Sequence, residues 1–181
     1  MKVSLNMSTS AVSESFQMKK QEYTATNGVY VAMIPISGAR KVFNVVKEAL
    51  QRAGIKPQPL DDYHVTVVWS EKSPDPSMVY MMLQESRSCK AQVKAVVSWE
   101  GHDKDGYVVL ELESADLKRR HEEWLKAGAS HSFDDYRAHI TLAKGLKLKD
   151  AQPAVDELNA YFKKHPATII FGDEQAADRK D

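Results

Sequence analysis

The chain is expected to fold as an α+β protein of two similar lobes that meet at one cleft, and three observations predict this. Strand-like and helix-like stretches come in two successive rounds, with a hairpin turn at Asp103-Lys104-Asp105-Gly106 in the second. The tripeptide His-x-Thr occurs twice, as His64-Val65-Thr66 and His139-Ile140-Thr141, each in a run of β-branched and aliphatic residues. A period of 75 residues is too long for a solenoid and suits two lobes that bring their strands together. Finally, no Gly-rich dinucleotide fingerprint and no P-loop is present, which argues against a parallel nucleotide-binding sheet.

The elements follow in order. Gly28 to Pro35 reads as a buried strand. Ala39 to Ala53 reads as a helix, because Val42, Val45, Val46, Ala49 and Leu50 recur on one face and Gly54 stops it. Pro57 and Pro59 break the chain before a strand over Tyr63 to Trp69. Ser73-Pro74-Asp75-Pro76 is a helix start, with a helix over Met78 to Arg87. A strand over Ala91 to Glu100 and its hairpin partner, Tyr107 to Glu113, come next. Asp116 to Ala127 is helical, with Gly128 as its stop. Tyr136 to Ala143 carries the second His-x-Thr, Asp150 to Lys164 is a helix, and Thr168 to Phe171 closes as a short strand. Residues 1–25 are expected to form a Ser-rich arm, flexible, loosely docked or locally helical around Val12 and Phe16. Residues 26–175 form a single bilobal domain, and 176–181 a polar tail.

Composition narrows the function classes. With 43% hydrophobic residues in 181, the chain has ample apolar material for a core. Its 25 Lys and Arg balance 25 Asp and Glu, whereas proteins that grip long duplex nucleic acid carry a basic surplus. The expected ligand is therefore small, with few phosphates. Cys89 is the only cysteine, so no intramolecular disulfide can form and a cytoplasmic, reducing setting is expected. No apolar run approaches the ~18 residues of a membrane span, and the first twenty residues lack the apolar stretch of a secretory signal. Oligomeric state leaves no pattern.

On a strand, residues i and i+2 share a face about 6.6 Å apart, so each tripeptide sets an imidazole beside a hydroxyl while Val65 and Val67, or Ile140 and Leu142, turn to the core. With six His and six Thr, chance yields about 0.2 copies, and two copies about once in fifty. Asp61-Asp62-Tyr63 precedes the first copy and Asp134-Asp135-Tyr136 the second. A single strand His beside a Thr is more often a structural pair than a catalyst; the repeat reverses that weighting.

From Gly28 to Phe171 these residues resemble the two-histidine (2H) phosphoesterases, whose signature is a pair of H-x-[TS] motifs on central strands of two pseudo-symmetric lobes. Within that group, the size and the Gly28-Val29-Tyr30-Val31-Ala32 strand look like the phage anti-CBASS nucleases, which degrade cyclic oligonucleotide immune signals. The resemblance implies lobes of antiparallel sheet with outer helices around a central cleft, and His64, Thr66, His139 and Thr141 as catalytic residues. Such chemistry is economical. One imidazole takes the proton of an attacking 2′-hydroxyl, the other protonates the leaving oxygen, and the two hydroxyls donate to the phosphate. Imidazoles with pKa near 6.5 can hold both protonation states at neutral pH, so neither a metal nor a cofactor is expected.

Binding residues carry two readings each. Arg137 shares the face of His139 and either holds a phosphate or base, or pairs with Asp134 or Asp135. Tyr30 sits where the resemblance implies an aromatic near the nucleotide; otherwise it fills the core. Trp99, at a strand end, can stack a base. The Phe171-Gly172-Asp173-Glu174 segment can fold over the cleft and put Glu174 near a base edge. Trp69, by its parity with Val65 and Val67, and Trp124, on a helical face with Leu117, His121 and Leu125, are expected in the core. His102, Asp103 and Asp105 read as a turn rather than a metal loop, and Lys118-Arg119-Arg120 as a solvated helix face balanced by Glu122-Glu123. Lys144, Lys147 and Lys149 either guide a phosphate or solubilise. The expected activity is metal-independent cleavage of 3′–5′ linkages in cyclic di- or trinucleotides, in a host cytoplasm if the protein is viral. An RNA 2′,3′-cyclic phosphodiesterase or 3′-end trimming enzyme, and a non-catalytic cyclic-nucleotide sponge, are the alternatives.

Overall fold

The computed structural model describes residues 27–101, 105–130 and 135–179. The arm at 1–25, His102 to Lys104 of the hairpin turn, Asp134 and the last two residues of the tail lie outside these. In chain order the elements are β1 (Val29–Ser37), α1 (Ala39–Arg52), a 3-10 turn (Leu60–Asp62), β2 (Val65–Ser70), α2 (Pro76–Gln84), β3 (Cys89–Glu100), β4 (Gly106–Glu113), α3 (Ala115–Lys126), β5 (His139–Leu146), α4 (Leu148–Lys164) and β6 (Thr168–Asp178).

Local chemistry sets the helix ends. Asp75 accepts from the Ser77 amide at 2.8 Å and Ser114 from the Leu117 amide at 3.0 Å, each satisfying a donor that the first helical turn leaves open. At the other end Gly54 (φ 72°) and Gly128 (φ 108°) take the left-handed conformation. There Ile55 N–H reaches Leu50 O at 2.9 Å and Ala129 N–H reaches Trp124 O at 3.1 Å, the bond that closes a glycine-terminated helix. Both stops are legible from the sequence. The apolar face of α1, with Val42, Phe43, Val46, Ala49 and Leu50, is buried as its periodicity requires.

The strands form one six-stranded sheet in the order β2-β1-β6-β3-β4-β5, every neighbouring pair antiparallel. The two lobes are its halves, β2-β1-β6 and β5-β4-β3, joined where Cys89–Gln92 pairs with Thr168–Phe171. Each half has its motif strand outermost. The sheet curls until those edges meet, since β2 and β5 are in contact although they stand at opposite ends of the order. Helices α1 and α4 pack side by side, α1 against β1 and β6, α4 against β3 and β4. Trp124, Tyr63, Phe43, Phe171 and Met33 are the largest fully enclosed side chains of the core.

The halves also share a register. Met33, Ala32, Val31 and Tyr30 of β1 face Val65, Thr66, Val68 and Trp69 of β2. Leu110, Val109, Val108 and Tyr107 of β4 face Ile140, Thr141, Ala143 and Lys144 of β5 in the same way. Each partner strand skips one residue, Val67 in the first half and Leu142 in the second, so a one-residue bulge follows each motif threonine. Burial repeats with it: half-buried, buried, half-buried, buried, buried, exposed from His64 to Trp69 and again from His139 to Lys144.

Two expectations about elements are corrected. The last strand does not stop at Phe171; β6 runs to Asp178 along the whole of β1, which also draws Ala176 to Asp178 out of the expected tail. A register shift opposite Met33 and the left-handed Asp173 (φ 47°) break the alternation there, and that break hides the strand's continuation. Arg120 is not part of a solvated face. It is buried, its guanidinium donating to both Glu174 oxygens (3.0 and 3.1 Å from Nε, 2.6 Å from Nη2), while Lys118 and Arg119 stay at the surface.

Candidate active site

The first tripeptide begins one residue ahead of β2 and the second opens β5, so both histidines lie at the start of the sheet's outermost strands. Their local geometry is duplicated. His64 Nδ1 lies 2.7 Å from Asp62 O and His139 Nδ1 lies 2.7 Å from Arg137 O, in each case the carbonyl two residues upstream. A carbonyl only accepts, so Nδ1 carries the proton in both rings and each presents Nε2 as the nitrogen that can take or give one. Alternation along the strand sets Thr66 beside His64 and Thr141 beside His139, all four half-buried.

Burial lowers the pKa of both imidazoles, because taking the ring out of water disfavours the cation. For His64 the Asp62 carbonyl and the Asp62 charge pull back upward, and the charge of His139 adds to the lowering. For His139 the Arg137 carbonyl and the Glu111 charge oppose the fall. The charge of His139 thus acts on the titration of His64.

Beside the two motifs lies a cavity of about 690 Å³ whose wall includes Thr66 of the first and His139 of the second, with Trp69, Trp99, Tyr136 and Arg137; His64 and Thr141 are not part of that wall. Trp99 packs its ring 4.5 Å from that of His139. Tyr30 stands beside the first motif, its hydroxyl 3.4 Å from Thr66 Oγ1 and its ring 6.1 Å from His64, edge to face. Its phenol is raised in pKa by burial, so it stays protonated. Arg137 is exposed on the cavity wall and makes no ion pair among the described residues; Asp134, one of the partners considered for it, lies outside them.

Glu174 is elsewhere, which corrects its expected position at a base edge. Its side chain is fully enclosed, held by Arg120 and by Trp124 Nε1 at 2.9 Å, and Arg120 also donates to Met82 O. A carboxylate with three donors inside the core is a structural tie between β6, α3 and α2, and cannot reach a base. Trp69 is corrected in the opposite direction. It is 39% exposed, lines the cavity and meets Tyr30 at 5.3 Å, because the bulge at Val67 shifts the alternation and sends it to the face of Thr66.

Two further wall residues carry no sequence signal of a role. His121 sits on the apolar face of α3 among core residues, and Tyr136 is an aromatic in a presumed strand; both line the cavity. Among the described residues no group of three or more His, Cys, Asp or Glu is arranged to hold a metal ion, and no helix is long and apolar enough to cross a membrane.

With this geometry in view, comparison with known proteins is informative. The family described as Anti-CBASS protein Acb1 matches residues 27–178, from just ahead of β1 to the end of β6. Three proteins named Anti-CBASS protein Acb1 are similar. That of Vibrio phage KVP40 is 27% identical over 126 residues, spanning 70% of this chain and 78% of its own length. That of Sphingomonas paeninsulae is 35% identical over 102 residues, 52% of this chain and 16% of that protein. That of Escherichia phage RB16 is 30% identical over 95 residues, 52% of this chain and 51% of its own. The match takes in both His-x-Thr strands and the whole sheet that joins them, and the chain belongs to the Acb1 family of anti-CBASS proteins.

Proposed function

We propose that this protein is a phosphodiesterase of the two-histidine type that opens 3′–5′ linkages of cyclic di- or trinucleotide signals, and so serves viral counter-defence in a host cell. The observation that carries this reading is the duplicated imidazole geometry: two Nε2 atoms of set tautomer, each beside a threonine hydroxyl, at meeting sheet edges. Family membership supports the counter-defence role.

In the proposed reaction the neutral imidazole takes the proton of the ribose 2′-hydroxyl through Nε2. The 2′-oxygen bonds to phosphorus, the bond from phosphorus to the 5′-oxygen breaks, and the cationic imidazole gives its Nε2 proton to that oxygen. Products are a 2′,3′-cyclic phosphate and a 5′-hydroxyl. Thr66 and Thr141 donate to the non-bridging oxygens as charge builds on them. Water can then open the cyclic phosphate with the histidines exchanging roles. No step calls on a metal ion, since the imidazoles activate the nucleophile and protonate the leaving group. Trp69 and Trp99 offer faces for bases on either side of the scissile phosphate, and Arg137 a cation for an anionic oxygen.

The test is incubation with a panel of cyclic oligonucleotides in EDTA, read by mass spectrometry. Ring opening to a species ending in a 2′,3′-cyclic phosphate is expected, together with binding but no turnover of an analogue whose 2′-hydroxyl at the scissile link is hydrogen. Loss of activity in EDTA that a divalent ion restores, or efficient cutting of the 2′-deoxy analogue, would reject the mechanism. Recovery of every cyclic ligand intact after long incubation would favour a binding sponge.

A further inference from the structure

The two bulges that follow the motif threonines leave Val67 and Leu142 without a partner residue across the ladder, and carbonyls at or beside each bulge accept from donors outside the sheet. In the second half, Leu142 O accepts from the backbone N–H of Gln58 at 2.7 Å. Gln58 belongs to the segment that leads into His64, so the approach to the first motif is tied to the bulge of the second. In the first half, Thr66 O accepts from the Tyr136 hydroxyl at 3.0 Å, and Tyr136 leads into His139. The tie is reciprocal. Beside it, Val67 O accepts from His121 Nδ1 at 2.7 Å, and the His121 ring lies flat on Tyr136, with centroids 4.4 Å apart and planes 9° from parallel. His121 is 6% exposed and comes from α3, so a helix anchors the pair.

We propose that Tyr136 and His121 act as positioning residues: together they clamp the carbonyls of Thr66 and Val67, and thereby hold the first histidine-threonine pair at a set distance from the second across the cleft. The physical need is plain. The edges of β2 and β5 meet without forming a ladder with one another, so nothing in the regular sheet specifies the spacing between the two imidazoles. Lone edge carbonyls that pair with a stacked, buried His-Tyr unit supply that specification, and a displacement of about 1 Å between reacting groups costs about 10²-fold in rate. Neither side chain is assigned to touch the reacting atoms; each acts through the backbone of the strand that bears Thr66. Val65 and Val67, both fully buried, complete the grip on β2.

The kinetic arm of the test rests on the phosphodiesterase reading and uses the full chain with a cyclic dinucleotide. Tyr136→Phe keeps the ring on His121 and removes only the donor to Thr66 O. A fall in kcat of about 10- to 100-fold is expected, with KM within about threefold of wild type. His121→Ala should fall likewise, and His121→Asn, which can offer a side-chain N–H where Nδ1–H stood, should recover most of the loss. An unchanged kcat in Tyr136→Phe, equal losses in His121→Asn and His121→Ala, or a change confined to KM, would overturn the proposal. The second arm is independent of turnover: the ring-nitrogen NMR signals of His64 and His139 are followed through pH in wild type and in Tyr136→Phe. The proposal expects the His64 titration to move, since its distance from the His139 charge is no longer held. Superimposable titrations of both rings would overturn it even if no cyclic nucleotide were ever cut, whereas a wild type that cuts nothing, together with a His64 titration that shifts in Tyr136→Phe, counts against the phosphodiesterase reading alone.

Discussion

The two edge strands of this sheet are alike in backbone and unlike in what they carry. Strands β2 and β5 share a motif, a register with the neighbouring strand, a bulge one residue past the threonine and a burial pattern over six positions. At the sixth position they part: β2 has Trp69, paired across to Tyr30, and β5 has Lys144, paired across to Tyr107. The histidine neighbours differ as well, Tyr30 edge-on to His64 and Trp99 close against His139. The lesson is a division of labour. In the proposed reaction, acid–base work on one phosphate calls for two equivalent imidazoles, and the frame that holds them is duplicated. Recognition of a ligand that need not be symmetric leaves the flanks to diverge.

The largest expected effect comes from removing one half of the proposed acid–base pair. His64→Ala and His139→Ala should each lower kcat/KM by about 10²- to 10⁴-fold, and the double variant should lose little beyond the worse single, because an acid and a base act as a unit. Steady-state kinetics on a cyclic dinucleotide checks this; a large loss in one single variant beside near-normal activity in the other would end the equivalence of the halves. A finer test works on the position where the strands differ. Trp69→Ala should raise KM about 5- to 100-fold through loss of base stacking, with little change in salt dependence. Lys144→Ala should raise it only a few-fold and flatten the salt dependence, as expected for a cation near phosphate. Identical salt slopes in the two variants would contradict the division.

The smallest expected effect concerns pH. Burial holds both imidazoles below their ordinary pKa, so in the unliganded protein the singly protonated pair, one acid and one base, is most populated below pH 6.5. Above that window both rings are neutral and the acid is lost; below it both are cationic and the base is lost. The pH profile of kcat/KM should therefore be a bell centred on the acidic side of 6.5. That of kcat should sit higher, since a bound phosphate favours the imidazolium. A kcat/KM optimum above pH 7.5 would contradict the assigned environment. Glu111→Gln and Asp62→Asn sharpen the contrast, each removing a charge that raises one ring only, His139 in the first case and His64 in the second.

Much of the local structure is legible in the sequence. Periodicity and glycine stops placed α1 and α3, and the alternation around each His-x-Thr put Val65, Val67, Ile140 and Leu142 in the core, where all four are fully buried. Trp69 was misread because a bulge has no mark in the sequence: one skipped partner reverses which face the next residues serve. Glu174 was misread because a buried carboxylate is made tolerable by partners distant in the chain, Arg120 and Trp124, and Arg120 looked like one more charge on a wet helix.

Residue type sets what a side chain can donate or accept, and short-range sterics and periodicity set helix, strand and turn, so the two His-x-Thr pairs and the local structure around them are written in the chain itself. Long-range packing alone brings the two outermost strands of one continuous sheet round to meet, cross-ties their bulges through Gln58, Tyr136 and His121, and turns Trp69 to the cleft while Glu174 turns away. The cross-ties rest on contacts between residues 54 to 84 positions apart, whose energies depend on burial and geometry that no local pattern encodes.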